Sequence, residues 1–312
     1  MKVVVTFPVA EAAKAQLNSM FDCRFWESEV PIPAHTLATW LSDAEGVLTT
    51  LTCPLNYEAL VDAKRLKVIS TVSVGVDHID VGFARRQKVA IGHTPGVLTD
   101  STADLALGLM LAVGRRMPEG DALVRQGAWS DGWKPNLLLG TDLSNAVVGL
   151  VGMGAIGQAV AKRLAGFGCR ILAWNRTPRE MDGVEFTDLD TLLSSADIVS
   201  LHTALTKETR KFIGRDRLGL MKDQAILINT SRGAIVDEAA LAEAIAAGRL
   251  RAGLDVYAEE PLPRDSIFHS LPGCVLLPHV GSATERTRRA MFELALANLM
   301  AGMQGESLPA AL

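Results

Sequence analysis

Short, nearly unbroken apolar runs rich in β-branched residues recur along this chain, each followed by a stretch with helical spacing. That rhythm constrains the fold more than any other feature. Lys2–Phe7, Gly46–Thr50, Val68–Val72 and Val89–His93 make one series; Ala146–Gly152, Arg170–Asn175, Ile198–His202, Ala225–Asn229, Ala252–Val256 and Val275–Pro278 make a second. A strand with one wet face alternates apolar and polar residues, whereas continuous runs suit strands covered by helices on both faces. Strands alternating with helices imply doubly wound parallel sheets, an α/β fold. The 312 residues allow two such domains at about 150 residues each.

The remaining classes are excluded quickly. Thirty-one basic against 35 acidic residues leave a net charge of −4, unlike the strongly basic surfaces that bind nucleic acid. The most apolar stretches, such as Leu105–Val113, fall short of the ~20 residues a membrane span needs. Val3-Val4-Val5 is followed by Pro8, Glu11 and Lys14, so the N-terminus reads as a strand and helix rather than a signal peptide. Cys23, Cys53, Cys169 and Cys274 are scattered without a C-x-x-C pair. That pattern points to reduced thiols in the cytoplasm and to no metal site.

A domain boundary is expected near Pro95-Gly96, before a long apolar helix from Thr102 to about Arg115. The C-terminal helix, Thr284 to Met300, is expected to return to the first domain. Residues 1–98 and 284–312 then form one domain and 99–283 the other, with two crossovers as hinges and a cleft between them.

The sharpest local signal is Gly149-Leu150-Val151-Gly152-Met153-Gly154-Ala155-Ile156-Gly157, a G-x-G-x-x-G between an apolar strand and a helix, Gln158–Phe167. Gly152 serves the tight turn, Gly154 the approach of a pyrophosphate, and Gly157 close helix–strand packing. The N-terminus of that helix offers its free N–H groups to the anion, and Ala155 and Ile156, between Gly154 and Gly157, are counted among the cofactor contacts. The next strand ends Asn175-Arg176-Thr177, and the first acid after it is Glu180. NAD-binding chains place a carboxylate near this point to hold the ribose hydroxyls. Here a guanidinium suits a 2′-phosphate instead. NADP(H) is therefore expected as the preferred cofactor, with NAD(H) possible; Arg176 is the main contact and Asn175, Thr177 and Arg179 assist.

Three further strand ends carry polar groups: Arg232 after Ala225–Asn229, Asp255 and Glu260 after the next run, and His279 after Val275–Pro278. Parallel strands turn their carboxyl ends to one edge, where ligands bind. Each residue alone has an ordinary structural reading: a turn histidine, a capping aspartate, a surface arginine. Their convergence on one edge is the argument. His35, His93 and His269 lack such a context and read as structural. His202, ending another strand before Thr203, reads as a cofactor neighbour.

On these residues the chain resembles the D-isomer-specific 2-hydroxyacid dehydrogenase family over essentially its whole length. The glycine loop, Asn229-Thr230-Ser231-Arg232-Gly233, Asp255…Glu260-Pro261 and His279-Val280-Gly281-Ser282-Ala283-Thr284 carry the likeness. Within the family it is most similar to glyoxylate/hydroxypyruvate reductases, through Ser73-Val74-Gly75-Val76-Asp77-His78, His93–Thr99 and Trp129–Pro135. One departure is a doubled acid, Glu259 before Glu260, and the family's role is placed on Glu260.

The resemblance implies a flavodoxin-like substrate domain and a Rossmann dinucleotide-binding domain. It implies reduction of a small 2-oxo acid to the D-2-hydroxy acid, as of glyoxylate to glycolate or hydroxypyruvate to D-glycerate. Arg232, Glu260 and His279 would be catalytic. His279 would donate the proton, Glu260 would be its charged partner, and Arg232 would bind the substrate carboxylate and polarise the carbonyl. Leu51, Val74 and Gly75 would also meet substrate, with Leu51-Thr52 and Val74 shaping its pocket. Thr230, Asp255 and Gly281 would join the cofactor contacts already named, with Asp255 orienting local groups as well as the cofactor. Residues Ala103–Trp133 would form an arm pairing two subunits, with Leu105, Leu109 and Val113 as its apolar face and Trp129 or Trp133 reaching toward the neighbour. Rival readings are an NAD-linked relative such as a phosphoglycerate or D-lactate dehydrogenase, and a dinucleotide-sensing corepressor-like protein. Asn175-Arg176, a chain stopping at Leu312 without a regulatory domain, and the complete Arg232, Glu260 and His279 set count against them.

Overall fold

The structure is a computed structural model that describes residues 1–177 and 179–312. The chain divides into two compact units, Met1–Leu98 with Thr284–Leu312, and Thr99–Ala283.

In the first unit β1 (Lys2–Val5), β2 (Asp22–Phe25), β3 (Gly46–Thr49), β4 (Val68–Thr71) and β5 (Ala90–Gly92) form a parallel sheet in the order β2-β1-β3-β4-β5. This is the flavodoxin-like order, whose switch point lies between β1 and β3. Strands β3 and β4 are buried at every position, including Thr49, Ser70 and Thr71, whose hydroxyls are hydrogen-bonded. β2 was not anticipated. It is a polar edge strand, Asp-Cys-Arg-Phe, with exposed and half-buried residues alternating, so no apolar run betrays it. The helix Glu285–Gln304 is capped by Thr284, whose hydroxyl accepts from the Thr287 amide. It docks on the sheet partly through Ser70, which donates to the Ala295 carbonyl at 2.7 Å. Buried Asn298 donates to the His93 carbonyl and accepts from the Ala310 amide, so its polar cost is met.

The second unit holds β6 (Val147–Val151), β7 (Arg170–Trp174), β8 (Glu185–Phe186), β9 (Ile198–Leu201), β10 (Ala225–Asn229), β11 (Leu250–Leu254) and β12 (Cys274–Leu276). Their order, β12-β11-β10-β9-β6-β7-β8, is parallel throughout. It is the Rossmann order extended by one strand, with its switch point between β6 and β9. Side chains leave β10 alternately: Leu227 enters one apolar cluster, Ile226 and Ile228 the other. Both faces are dry, hence the continuous run. β11 ends two residues earlier than the apolar pattern suggests, which leaves Asp255 just beyond the strand.

One expectation needs correction. Leu109 and Val113 do not form an outward apolar face; they are 2% and 3% exposed in the core of their own unit. The helix Thr99–Gly114 covers β10 and β11, and the spacing of its apolar residues records that internal packing. The exposed apolar side chains lie further on, at Met117, Val124, Trp129, Trp133, Leu137 and Leu139.

Candidate active site

The glycine loop follows β6, directly at the switch point of the second sheet. Gly152 adopts φ +102°, and a Cβ there would lie 2.6 Å from the His202 carbonyl oxygen at the end of neighbouring β9. A Cβ on Gly157 would come within 2.1 Å of the Gly152 oxygen, so only glycine lets the helix start so close to the turn. Gly154, by contrast, faces open space. The helix begins at Ala155 and Ile156 with Gly154 as its N-cap, and no side chain caps its first amides. This arrangement fits a pyrophosphate at a helix N-terminus.

Polar atoms nearby fit the rest of a dinucleotide. His202 Nε2, Thr203 Oγ1 and Thr230 Oγ1 are buried and lack a hydrogen-bond partner among the described residues. Buried polar atoms are normally satisfied, so three orphans on the strand ends around the glycine loop call for a polar ligand. Burial pushes the His202 imidazole down to about 4, which keeps it neutral at physiological pH. Asn175 is already employed. Its Oδ1 accepts from the Met153 amide at 2.9 Å, and its Nδ2 donates to the Thr177 carbonyl at 2.7 Å. Arg176 and Thr177 are exposed beside it.

The three proposed catalytic side chains come together on the loops after β10, β11 and β12. His279 Nδ1 meets Glu260 Oε2 at 2.6 Å, both side chains about one-quarter exposed. Burial works to raise the Glu260 carboxyl. The His279 hydrogen bond and charge, the Tyr257 amide and the Arg232 charge outweigh it and hold the group below its usual range. Arg232 is thus close enough to act on Glu260 electrostatically. Its loop is pinned by Asn229, which is 1% exposed; Asn229 accepts from the Ser231 amide and donates to the Arg232 carbonyl. Gly233 packs under the next loop so tightly that a Cβ would lie 1.9 Å from the Tyr257 carbonyl carbon.

Asp255 orients the backbone around it. Its carboxylate, 1% exposed, accepts from the amides of Val280 and Gly281, each at 2.8 Å. Its carbonyl accepts from the His279 amide at 2.9 Å. Burial pushes this carboxyl up and the two amides pull it down. Three bonds thereby hold His279 at φ +55°, a left-handed conformation that non-glycine residues persist in only when their surroundings enforce it. Gly281 is buried and lends its carbonyl to Thr102.

In the first unit Leu51 follows β3, and Val74 and Gly75 follow β4, all at the carboxyl edge of that sheet. Their loop is braced by Ser73, which donates to the Gly75 carbonyl, and by His93, whose Nδ1 meets the Val74 carbonyl at 3.0 Å. Residues without an assigned role in the sequence reading prove structural to the site: Asn229, Tyr257 and Gly233. A buried asparagine ending an apolar strand was the available signal for the first. Close approach by a loop elsewhere in sequence left no signal for the others. Among the described residues no cluster of potential ligands could hold a metal, and no helix is long and apolar enough to cross a membrane.

Residues 107–281, more than half of the chain, match the D-isomer specific 2-hydroxyacid dehydrogenase NAD binding domain. The chain is 43% identical to the glyoxylate reductase of Thermococcus litoralis, covering 99% of this chain and 95% of that one. It is 42% identical to the Mus musculus glyoxylate reductase/hydroxypyruvate reductase, covering 100% and 98%. A Thermus thermophilus crystal structure matches with a TM-score of 0.93 and 45% identity, both chains covered completely. An NADPH-dependent glyoxylate/hydroxypyruvate reductase from Sinorhizobium meliloti, solved with NADP and malonate, matches with a TM-score of 0.90 at 32% identity, covering 100% and 96%. The fold, the glycine loop and these likenesses lead to one statement: the chain belongs to the D-isomer specific 2-hydroxyacid dehydrogenase family and is an NAD(P)-dependent oxidoreductase.

Proposed function

We propose that the protein reduces a small 2-oxo acid, glyoxylate or hydroxypyruvate, to the D-2-hydroxy acid, with His279 as proton donor and NADP(H) as the preferred dinucleotide. The observation that carries this reading is the 2.6 Å pairing of His279 Nδ1 with Glu260 beside Arg232. Pairing through Nδ1 leaves Nε2 to face a carbonyl oxygen. When bound, the dinucleotide supplies the hydride that reaches the carbonyl carbon. His279 delivers its proton to the oxygen as negative charge develops there, and Glu260 balances the charge of the imidazolium. Arg232 takes the substrate carboxylate through its planar fork. The Val74 and Gly75 amides and Leu51 are assigned to substrate on resemblance alone. The names of the relatives agree with this substrate class.

The cofactor preference rests on Arg176, exposed at the end of β7 with Thr177 beside it and no acid until Glu180. A charge-assisted contact to the 2′-phosphate should make kcat/KM with NADPH about tenfold or more above that with NADH. An initial-rate panel of glyoxylate, hydroxypyruvate and bulkier 2-oxo acids with both cofactors tests cofactor and substrate together. Equal efficiency with NADH overturns the preference, and best activity on a bulky acid overturns the substrate.

Two copies are assigned to the working enzyme. Met117, Val124, Trp129, Trp133, Leu137 and Leu139 place exposed apolar side chains, Trp133 at 82% exposure, within one short segment. Such a concentration marks an association surface. Sedimentation equilibrium should give twice the 33.3 kDa chain mass; a monomer at micromolar concentration rejects it. We assign the enzyme to the cytoplasm on its scattered cysteines without a C-x-x-C pair.

A further inference from the structure

Two carboxylates grip successive amides of one loop. The Tyr257 amide donates to Glu260 Oε1 at 2.9 Å, and the Ala258 amide donates to Glu238 Oε1 at 2.7 Å. Glu260 serves the site directly through its other oxygen, which meets His279. Glu238 is not part of that loop. It opens the helix Glu238–Ala246, whose N-cap is Asp237, so its backbone is anchored in the body of the unit.

The bland explanation, that Glu238 only satisfies a backbone donor, is weak here. Ala258 is an exposed residue, yet its amide is met not by its own loop but by a carboxylate 20 residues away. Keeping a carboxylate at this position has a cost: burial pushes the Glu238 carboxyl up, and the charge of Glu260 pushes it the same way, while the Ala258 amide pulls it down. The charged groups around it are Glu260, with His279 and Arg232 beyond, and Asp237, which is paired with Lys211 at 3.3 Å. What the contact does accomplish is geometric. The peptide it clamps lies directly over Gly233, the residue after Arg232. The same loop presents Glu260 to His279, and Tyr257 ties it to the Leu277 carbonyl, two residues before His279, at 3.0 Å.

We infer that Glu238 is a positioning residue for the reaction: its hold on the Ala258 amide fixes the loop that aligns Glu260 with His279 and packs beside Arg232. The inference rests on the reductase reading above. It acts through other residues, so its signature is turnover rather than ligand binding.

The test compares wild type, E238Q and E238A for kcat and KM with glyoxylate and for the dissociation constant of NADPH. A glutamine oxygen can accept the same hydrogen bond, and Asp237 keeps the helix capped in both variants. E238A is expected to lose about tenfold in kcat with KM and NADPH affinity within about twofold, and E238Q to recover to within about threefold of wild type. Wild-type kcat in E238A overturns the inference. So does an E238Q as impaired as E238A, or a loss confined to KM or to NADPH affinity. A wild-type enzyme inactive on every 2-oxo acid sinks the reductase reading itself; an active wild type with an indifferent E238A sinks only the role of Glu238.

Discussion

Replacing His279 by alanine is expected to lower kcat for glyoxylate reduction by about a thousandfold, within the range that a positioned general acid contributes. The dissociation constant for NADPH should change by less than about threefold, because the imidazole is separate from the glycine loop and the strand ends around β6 and β9. The expectation depends on the imidazole being held in place. The left-handed backbone at position 279 is enforced by Asp255, not by the imidazole, so the variant keeps its turn: Asp255 still receives the amides of residues 279, 280 and 281. The lost rate is then assigned to proton delivery rather than to a collapsed loop. Steady-state kinetics alongside a direct NADPH titration measures both quantities. Turnover within tenfold of wild type would remove His279 from the acid role, and a parallel loss of NADPH affinity would recast it as a cofactor contact.

The two sheets were legible because their central strands are dry on both faces. Val68–Thr71 and Ala225–Asn229 are buried at every position, and composition alone marks such segments. Of the four edge strands, β5 and β12 left apolar runs and β2 and β8 escaped. β2 is polar and half-exposed, and β8 is two residues long, so neither leaves an apolar run. The glycine loop was legible because Gly152 and Gly157 answer steric demands that any side chain would violate, most severely at Gly157, while Gly154 keeps open the space before the helix. That Arg232, Glu260 and His279 would come together was legible by position, as polar residues following strands that must end at one edge. Their supports were not. The Asp255 grip on Val280 and Gly281 spans 25 and 26 residues of sequence and the Glu238 grip on Ala258 spans 20, and such pairings become visible only once the chain is folded. Asp255 could be expected to orient the groups around it, but which amides it holds, at 1% exposure, is visible only in the folded chain. The dimer face was misread because periodic apolar residues on a helix look alike whether they cover a sheet of their own chain or a neighbour. Leu109 and Val113 cover β10 and β11.

Arg232→Ala should be the more damaging change in kcat/KM, because it removes ground-state binding and transition-state stabilisation together. A guanidinium that grips a carboxylate and also stands near the carbonyl oxygen strengthens its hold as negative charge grows there. The expected outcome is a KM for glyoxylate raised at least tenfold, a kcat lowered about a hundredfold, and kcat/KM down by about three orders of magnitude. Asn229 and Gly233 fix the backbone on either side of position 232, so the loop should survive loss of the side chain. Arg232→Lys discriminates charge from shape: lysine keeps the charge but lacks the fork that meets a carboxylate through two parallel bonds, and most of the loss should remain. A small aldehyde without a carboxylate supplies the decisive comparison. If Arg232 reads the carboxylate, wild type should prefer glyoxylate to that aldehyde strongly, and Arg232→Ala should erase most of the preference. If the preference survives the substitution intact, the carboxylate is bound by other groups, and Arg232 acts on the reaction only through the charge it adds beside Glu260.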